Sequence, residues 1–207
     1  MAILLVNNYL TKANEKIKRY VRVLEDISGS EVLVERFHRI GPDYRPDRAV
    51  EAVVLSGSEA CLSNPADRPL FEDEVAFVRE LRLPLLGICF GHQLIGYAFG
   101  AEVIEGPVRK EPKEVVVEVP DDIFSSWQPG DKLLVAEWHR DELAHLPPGF
   151  VRLATSKHCL IEAMRHVNRP IFGVQFHPER KPEEWAEEWD GLKVLANFIE
   201  ASRRTSP

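Results

Sequence analysis

Short apolar runs alternate with longer stretches of helical spacing through the first half of this chain. Ile3 to Val6 is a strand-length apolar run that stops at Asn7-Asn8. Lys12 to Ile27 follows, with Ile17, Tyr20, Val21, Leu24 and Ile27 on one face of a 3.6-residue period, which predicts a helix. Val32 to Phe37 and Ala52 to Leu55 read as the next strands, the second ending at Ser56-Gly57-Ser58. Leu70 to Leu81 reads as helix, Pro84 to Ile88 as strand, and Leu94 to Phe99 as the helix after it. Strands separated by helices predict a mostly parallel sheet covered on both faces. Sites in such sheets gather beyond the carboxyl ends of the strands, here Asn7-Asn8, Ser56-Gly57-Ser58 and Cys89.

The pattern changes in the middle. Glu114 to Val119 mixes charged and apolar positions, and Lys132 to Val135 and Val151 to Ala154 are short strands punctuated by proline and glycine turns. This predicts a small antiparallel insertion at one edge. The apolar strand Ile171 to Phe176 then rejoins the main sheet. Leu192 to Ala201 closes it as a helix, with Leu192, Leu195, Ala196 and Ile199 on one face. Trp185 and Trp189, four apart among acids, read as one packed helical face. No linker interrupts the chain, so residues 1–207 are expected to form one domain of α/β class, an open flavodoxin-like sheet.

Composition narrows the classes. A hydrophobic share of 44% supports a sizeable core, and a net charge of −7 with no basic cluster argues against nucleic acid as partner. No apolar run approaches the roughly 18 residues of a membrane span. The first residues lack the basic start and length of a signal peptide. Three cysteines, an odd number, suggest reduced thiols and a cytoplasmic setting.

Gly87-Ile88-Cys89-Phe90-Gly91-His92-Gln93 carries the chemistry. A cysteine between two glycines, at the tip of an apolar strand and the start of a helix, is a nucleophile elbow with sulfur in place of oxygen. The positive end of the helix favours thiolate. A lone cysteine is ordinarily buried filler. Far downstream, however, a second strand ends in His177, with Glu179 two positions on. Nucleophile, base and orienting acid need to be neighbours only in space. Cys89 would attack a carbonyl carbon, His177 would move the proton, and Glu179 would orient the ring. The oxyanion needs backbone donors: the Phe90 N–H first, and a second from the turn at Gly57 and Ser58. No spaced Cys/His partners support a metal, and no cofactor is expected.

These two motifs resemble the class I, triad-type glutamine amidotransferases. That family has the elbow as Gly-x-Cys-x-Gly-x-Gln, here Gly87 to Gln93, and a Gly-x-Gln-Phe-His-Pro-Glu segment, here Gly173 to Glu179. The resemblance covers essentially the whole chain. It implies glutamine as substrate, a thioester at Cys89, and ammonia passed to a separate synthase subunit. It assigns the N–H groups of Ser58 and Phe90 to the oxyanion hole and Gln93 to glutamine binding. Trp138, His139, Arg140 and Asp141 are assigned to the amino-acid end of the substrate. His139-Arg140-Asp141-Glu142-Leu143 and Leu146-Pro147-Pro148-Gly149-Phe150 are most similar to the glutaminase part of GMP synthases. Two other readings stay open from the residues alone. One is a stand-alone γ-glutamyl hydrolase, because Trp138 and Arg140 could grip larger amides. The other is a non-catalytic module on the same fold.

Overall fold

The computed structural model describes residues 2–46, 49–110, 112–120, 122–181 and 189–205. Five parallel strands form the first half of the main sheet: β1 (Ala2–Asn7), β2 (Glu31–Arg36), β3 (Val50–Leu55), β4 (Leu85–Ile88) and β11 (Ile171–Val174). Between them lie α1 (Ala13–Lys16), α2 (Lys18–Ser28), α3 (Glu72–Glu80) and α4 (Phe90–Ala98), with α5 (Asp190–Thr205) after β11. The chain then supplies β5 (Val103–Arg109), β6 (Pro112–Val117), β7 (Lys132–Ala136), β8 (His139–Leu143), β9 (Phe150–Thr155) and β10 (Ala163–His166).

Among the described residues the main sheet runs β2-β1-β3-β4-β11-β10-β9-β6-β7, and β5 pairs with β8 in a separate ribbon. The antiparallel part lies at one edge of the sheet, as expected, and is larger than a small insertion. Four antiparallel strands continue the main sheet beyond β11, and only the β5–β8 ribbon stands apart.

Period-two alternation divides the core. On β1, Ile3 and Leu5 face one apolar layer with Tyr20, Leu24, Leu195 and Phe198, while Leu4 and Val6 face the other with Val75, Val78, Leu94 and Ile95. Helices α2 and α5 thus cover one face, and α3 and α4 the other.

The predicted helix over Lys12 to Ile27 is broken, because Lys12 takes a left-handed conformation at φ 47° and Ile17 separates α1 from α2. The helix predicted from Leu70 begins instead at Glu72, after a 3-10 turn over Arg68–Phe71. Trp185 lies outside the described residues. The Trp189 indole donates to the Pro178 carbonyl at 2.8 Å. No described helix is long and apolar enough to cross a membrane.

Candidate active site

Strand β4 ends at Ile88, and α4 begins at Phe90, so Cys89 must reverse the chain within one residue. It does so at φ 54°, ψ −103°, outside the broad regions open to side-chain-bearing residues. The Cys89 N–H donates to Val174 O at 2.9 Å, and its carbonyl accepts the Gln93 N–H at 3.1 Å. Cys89 is pinned between β11 and the first turn of α4.

The strand beside β4 brings His177. His177 follows β11 and is buried; its N–H donates to Ala136 O at 2.8 Å. Its Nδ1 lies 2.8 Å from Glu179 Oε1, which leaves Nε2 for the Cys89 side chain, within hydrogen-bonding reach of the ring. Burial alone would push the imidazole down. The Glu179 and Cys89 charges and their hydrogen bonds outweigh it and push His177 up to about 10. Burial would likewise raise Glu179, but His177 and then Arg180 hold it below the usual carboxylate range. At neutral pH the ring is held as an imidazolium beside the Cys89 sulfur.

The turn after β3 closes the site from the other side. The Gly57 N–H, expected among the oxyanion donors, instead donates to the Tyr20 hydroxyl at 3.1 Å. The contribution of Gly57 is clearance: a Cβ there would lie 3.1 Å from His177 Cε1 and 3.2 Å from both Tyr9 and Tyr20 hydroxyls. Ser58 needs no positive φ. Its hydroxyl donates to Asn8 O at 2.7 Å and accepts the Ala60 N–H at 3.0 Å, which fixes the turn. Among the described residues the backbone N–H groups of Ser58 and Phe90 have no acceptor. Both residues line the same cleft as Cys89 and His177.

That cleft has a volume of about 430 Å³. Gln93 reaches its floor, with its amide nitrogen donating to Asp141 O at 2.6 Å and to Gln175 Oε1 at 3.1 Å. Residues 138–141 form one wall, but their side chains divide. The Trp138 carbonyl oxygen lies 3.6 Å from the Cys89 sulfur, and its indole, half exposed, carries Lys110 at 4.9 Å and Arg180 at 5.2 Å from the ring centroid. Arg140 lies on the rim, 2.9 Å from the Cys61 sulfur and 3.3 Å from Glu105. Buried His139 and Asp141 brace this wall. His139 Nδ1 lies 3.1 Å from Asp141 O, and the Asp141 carboxylate accepts the Ser63 N–H at 2.8 Å and the Ser63 hydroxyl at 2.9 Å.

A cysteine, an imidazolium, a carboxylate and two unengaged amides therefore meet in one cleft. The profile of the glutamine amidotransferase class-I family matches residues 6–198. The chain belongs to the class I glutamine amidotransferases. This amidotransferase is 32% identical over 210 residues to a GMP synthase (glutamine-hydrolyzing) subunit from Methanothermobacter thermautotrophicus, across 97% of this chain and 98% of that one. It is 48% identical over 126 residues to the subunit of the same name from Methanosarcina barkeri. That match covers 60% of this chain and only 62% of the relative. A solved structure from Thermoplasma acidophilum superposes with a TM-score of 0.81 at 26% identity, over 99% of this chain and 94% of that one.

Several residues in or behind the cleft of the amidotransferase escape sequence reasoning. Tyr20 reads as one more apolar position on a helix face, yet its hydroxyl lies 3.4 Å from His177 Nδ1 and accepts from Gly57. Lys110 reads as a solvated charge until the fold places it, with Arg180, on Trp138. Cys61 reads as a packing thiol, and burial, then Asp141, push it up against the pull of Arg140.

The His177 shift has a thermodynamic signature. Its folded pKa, about 10, exceeds the ordinary 6.5. The stability it contributes is fully present below pH 6.5 and fades as pH rises through about 10. Glu179→Gln removes the main upward pull and leaves burial, which favours the neutral ring. The thermal midpoint of Glu179→Gln is expected to lie furthest below that of the parent at mildly acidic pH, just below the ordinary 6.5. The gap should narrow toward pH 10, as read by calorimetry across that range.

Proposed function

We propose that this amidotransferase hydrolyses the side-chain amide of glutamine at Cys89 and releases ammonia to a separate synthase subunit, in the manner of a GMP synthase glutaminase. The observation that carries this reading is His177 bridging Cys89 and Glu179 inside a cleft floored by Gln93. The thiolate attacks the γ-carboxamide carbon. The oxygen gains the electron pair of the broken π bond and lies against the Ser58 and Phe90 N–H groups, each worth about 3 kcal/mol in such a role. His177 gives its proton to the departing nitrogen, ammonia leaves, and a thioester remains. The neutral ring then takes a proton from water as the hydroxide adds to the thioester carbon. Collapse of the second tetrahedral species restores thiolate and imidazolium and frees the γ-carboxylic acid, which gives its proton to solvent or ammonia to become glutamate.

Gln93 and the Trp138–Asp141 wall lie where the amino-acid end of glutamine would sit. The cations Lys110, Arg140 and Arg180 offer a counter-charge to its α-carboxylate.

The test is glutamate release from glutamine, with and without an ATP-dependent GMP synthetase partner and its nucleotide. It is paired with peptide mass spectrometry after a glutamine-mimicking diazo-ketone. A single adduct at Cys89 and turnover of glutamine above that of γ-glutamyl conjugates are expected. No glutamate under any of these conditions, or faster conjugate cleavage, overturns the reading. Cys61 lines the same cleft but is held as thiol, so the adduct should discriminate between the two.

A further inference from the structure

We propose that Glu137 and Glu162 form a buried acid pair sharing one proton, and that this pair positions the Ala136–Trp138 strand end against Cys89 and His177. Neither residue has a part in the triad chemistry. Glu137 is 3% exposed and Glu162 is wholly buried. Their carboxyl groups face each other within hydrogen-bonding reach. None of the four oxygens has a well-formed bond to a fixed donor. Carboxylates only accept, so a bond between two of them requires a proton on one. Two buried charges in contact would not both persist.

The surroundings fit one proton rather than none or two. His139 Nε2 lies 3.6 Å from Glu137 Oε2. Arg109 approaches from β5, but its guanidinium is engaged by Glu142 at 3.3 Å and by the His158 carbonyl. Ser156 and the Cys159 thiol complete the wall on the Glu162 side. His92, on α4 beside His139, is pushed down to about 3 by burial and adds no charge. Burial, then the neighbouring Glu137, push Glu162 well above the usual carboxylate range. For Glu137, burial is outweighed by the contacts with His139 and Glu162, which hold it low.

The pair sits where it can hold the catalytic strand ends in register. Ala136 O accepts from the His177 N–H, and Trp138 O touches the Cys89 sulfur, so Glu137 lies between the two backbone anchors of the triad. Glu162 is fixed to the sheet at both ends of its peptide. Its N–H donates to Ala154 O at 3.1 Å and its carbonyl accepts the Gln175 N–H at 2.8 Å. The shared proton thus ties the bend between β7 and β8 to the sheet that carries His177.

Three measurements test this. Only the kinetic one rests on the glutaminase reading. Glu162→Gln keeps a donor without a charge; Glu162→Ala removes the bond. In infrared spectra near neutral pH, the protonated-carboxyl band should lose intensity in Glu162→Gln. Glu74→Gln, which removes a second buried acid pushed up to about 8, serves as control for a different component. An unchanged band in Glu162→Gln overturns the shared proton. By linkage, a carboxyl raised on folding costs increasing stability as pH climbs above its unfolded value. The thermal midpoint of Glu162→Gln should therefore gain on the parent as pH rises, and a constant offset across the range counts against the pair.

For positioning, kcat on glutamine should fall about tenfold in Glu162→Ala with KM little changed, and stay within about threefold in Glu162→Gln. Should the parent not turn over glutamine, the rate of iodoacetamide alkylation at Cys89, followed by peptide mass spectrometry, replaces kcat. Equal rates in all three proteins overturn the positioning role.

Discussion

Glutamine hydrolysis is expected to fall by about 10⁴-fold or more in Cys89→Ala, and Cys89→Gly should be equally inactive yet more stable than Cys89→Ala. The first part follows from chemistry. Members of a catalytic unit act together, so loss of the nucleophile removes the covalent route altogether. The second follows from the backbone. Cys89 sits at φ 54°, ψ −103°, and alanine keeps the Cβ that crowds this conformation. Glycine removes it, at the cost of a looser unfolded chain. Backbone strain of this kind is worth about 1–3 kcal/mol and the glycine entropy about 0.5–1 kcal/mol. A net gain of about 1 kcal/mol over Cys89→Ala is expected. Glutamate release and thermal unfolding of the two variants read the two effects separately, and a Cys89→Gly protein less stable than Cys89→Ala would remove the strain argument.

The largest stability loss is expected at Gly87. A Cβ there would lie 2.4 Å from Gly91 O and 2.5 Å from Gly91 C, both backbone atoms of α4, and 2.6 Å from Ile95 Cδ1. None of the backbone can give way without lifting α4 from β4, so Gly87→Ala combines overpacking with displacement of the elbow. Overpacking alone costs about 1–3 kcal/mol, occasionally more. A loss of at least about 3 kcal/mol is expected, a fall of roughly 6–12 °C in Tm for a chain of this size. Activity should vanish with it. Gly29→Ala provides the contrast. Gly29 ends α2 at φ +63° with nothing within 4 Å of its would-be Cβ, so only conformational strain of about 1 kcal/mol is lost and hydrolysis continues. Equal losses in the two variants would show that the contact with α4 is not what makes Gly87 necessary.

The parallel half of the fold is legible because its inner strands are buried on both faces and read as continuous apolar runs bounded by helical periods. Ile3 to Val6 and Ala52 to Leu55 are of this kind. The half beyond β11 is less legible. Val103–Arg109 has a glycine and a proline between its two charges, His139–Leu143 has three consecutive charged residues, and the two pair only with each other, so neither has the apolar run that marks a strand. Ala163–His166 is four residues long and takes its place from neighbours on both sides.

The site shows the same division. Cys89, His177 and Glu179 stand out because spacing and residue type coincide. The Tyr20 hydroxyl, the cations on Trp138 and the Glu137–Glu162 contact arise from long-range pairing, which one-dimensional spacing does not encode. Gly57 illustrates the limit from the other direction: its place in the turn is readable, but the partner of its N–H comes from a helix 37 residues earlier.

The order of the central strands bears on how this enzyme is made. Strand β11 occupies the slot between β4 and β10, so the sulfur emerges from the ribosome long before the strand that must flank it. During elongation at roughly 5–20 residues per second, the nascent chain spends several seconds with β4 lacking that neighbour. Over that interval the nucleophile has neither its imidazole nor the Val174 carbonyl that anchors its amide. On the proposed chemistry, ammonia release waits until synthesis has passed residue 179, and chains terminated before it are expected to be inactive.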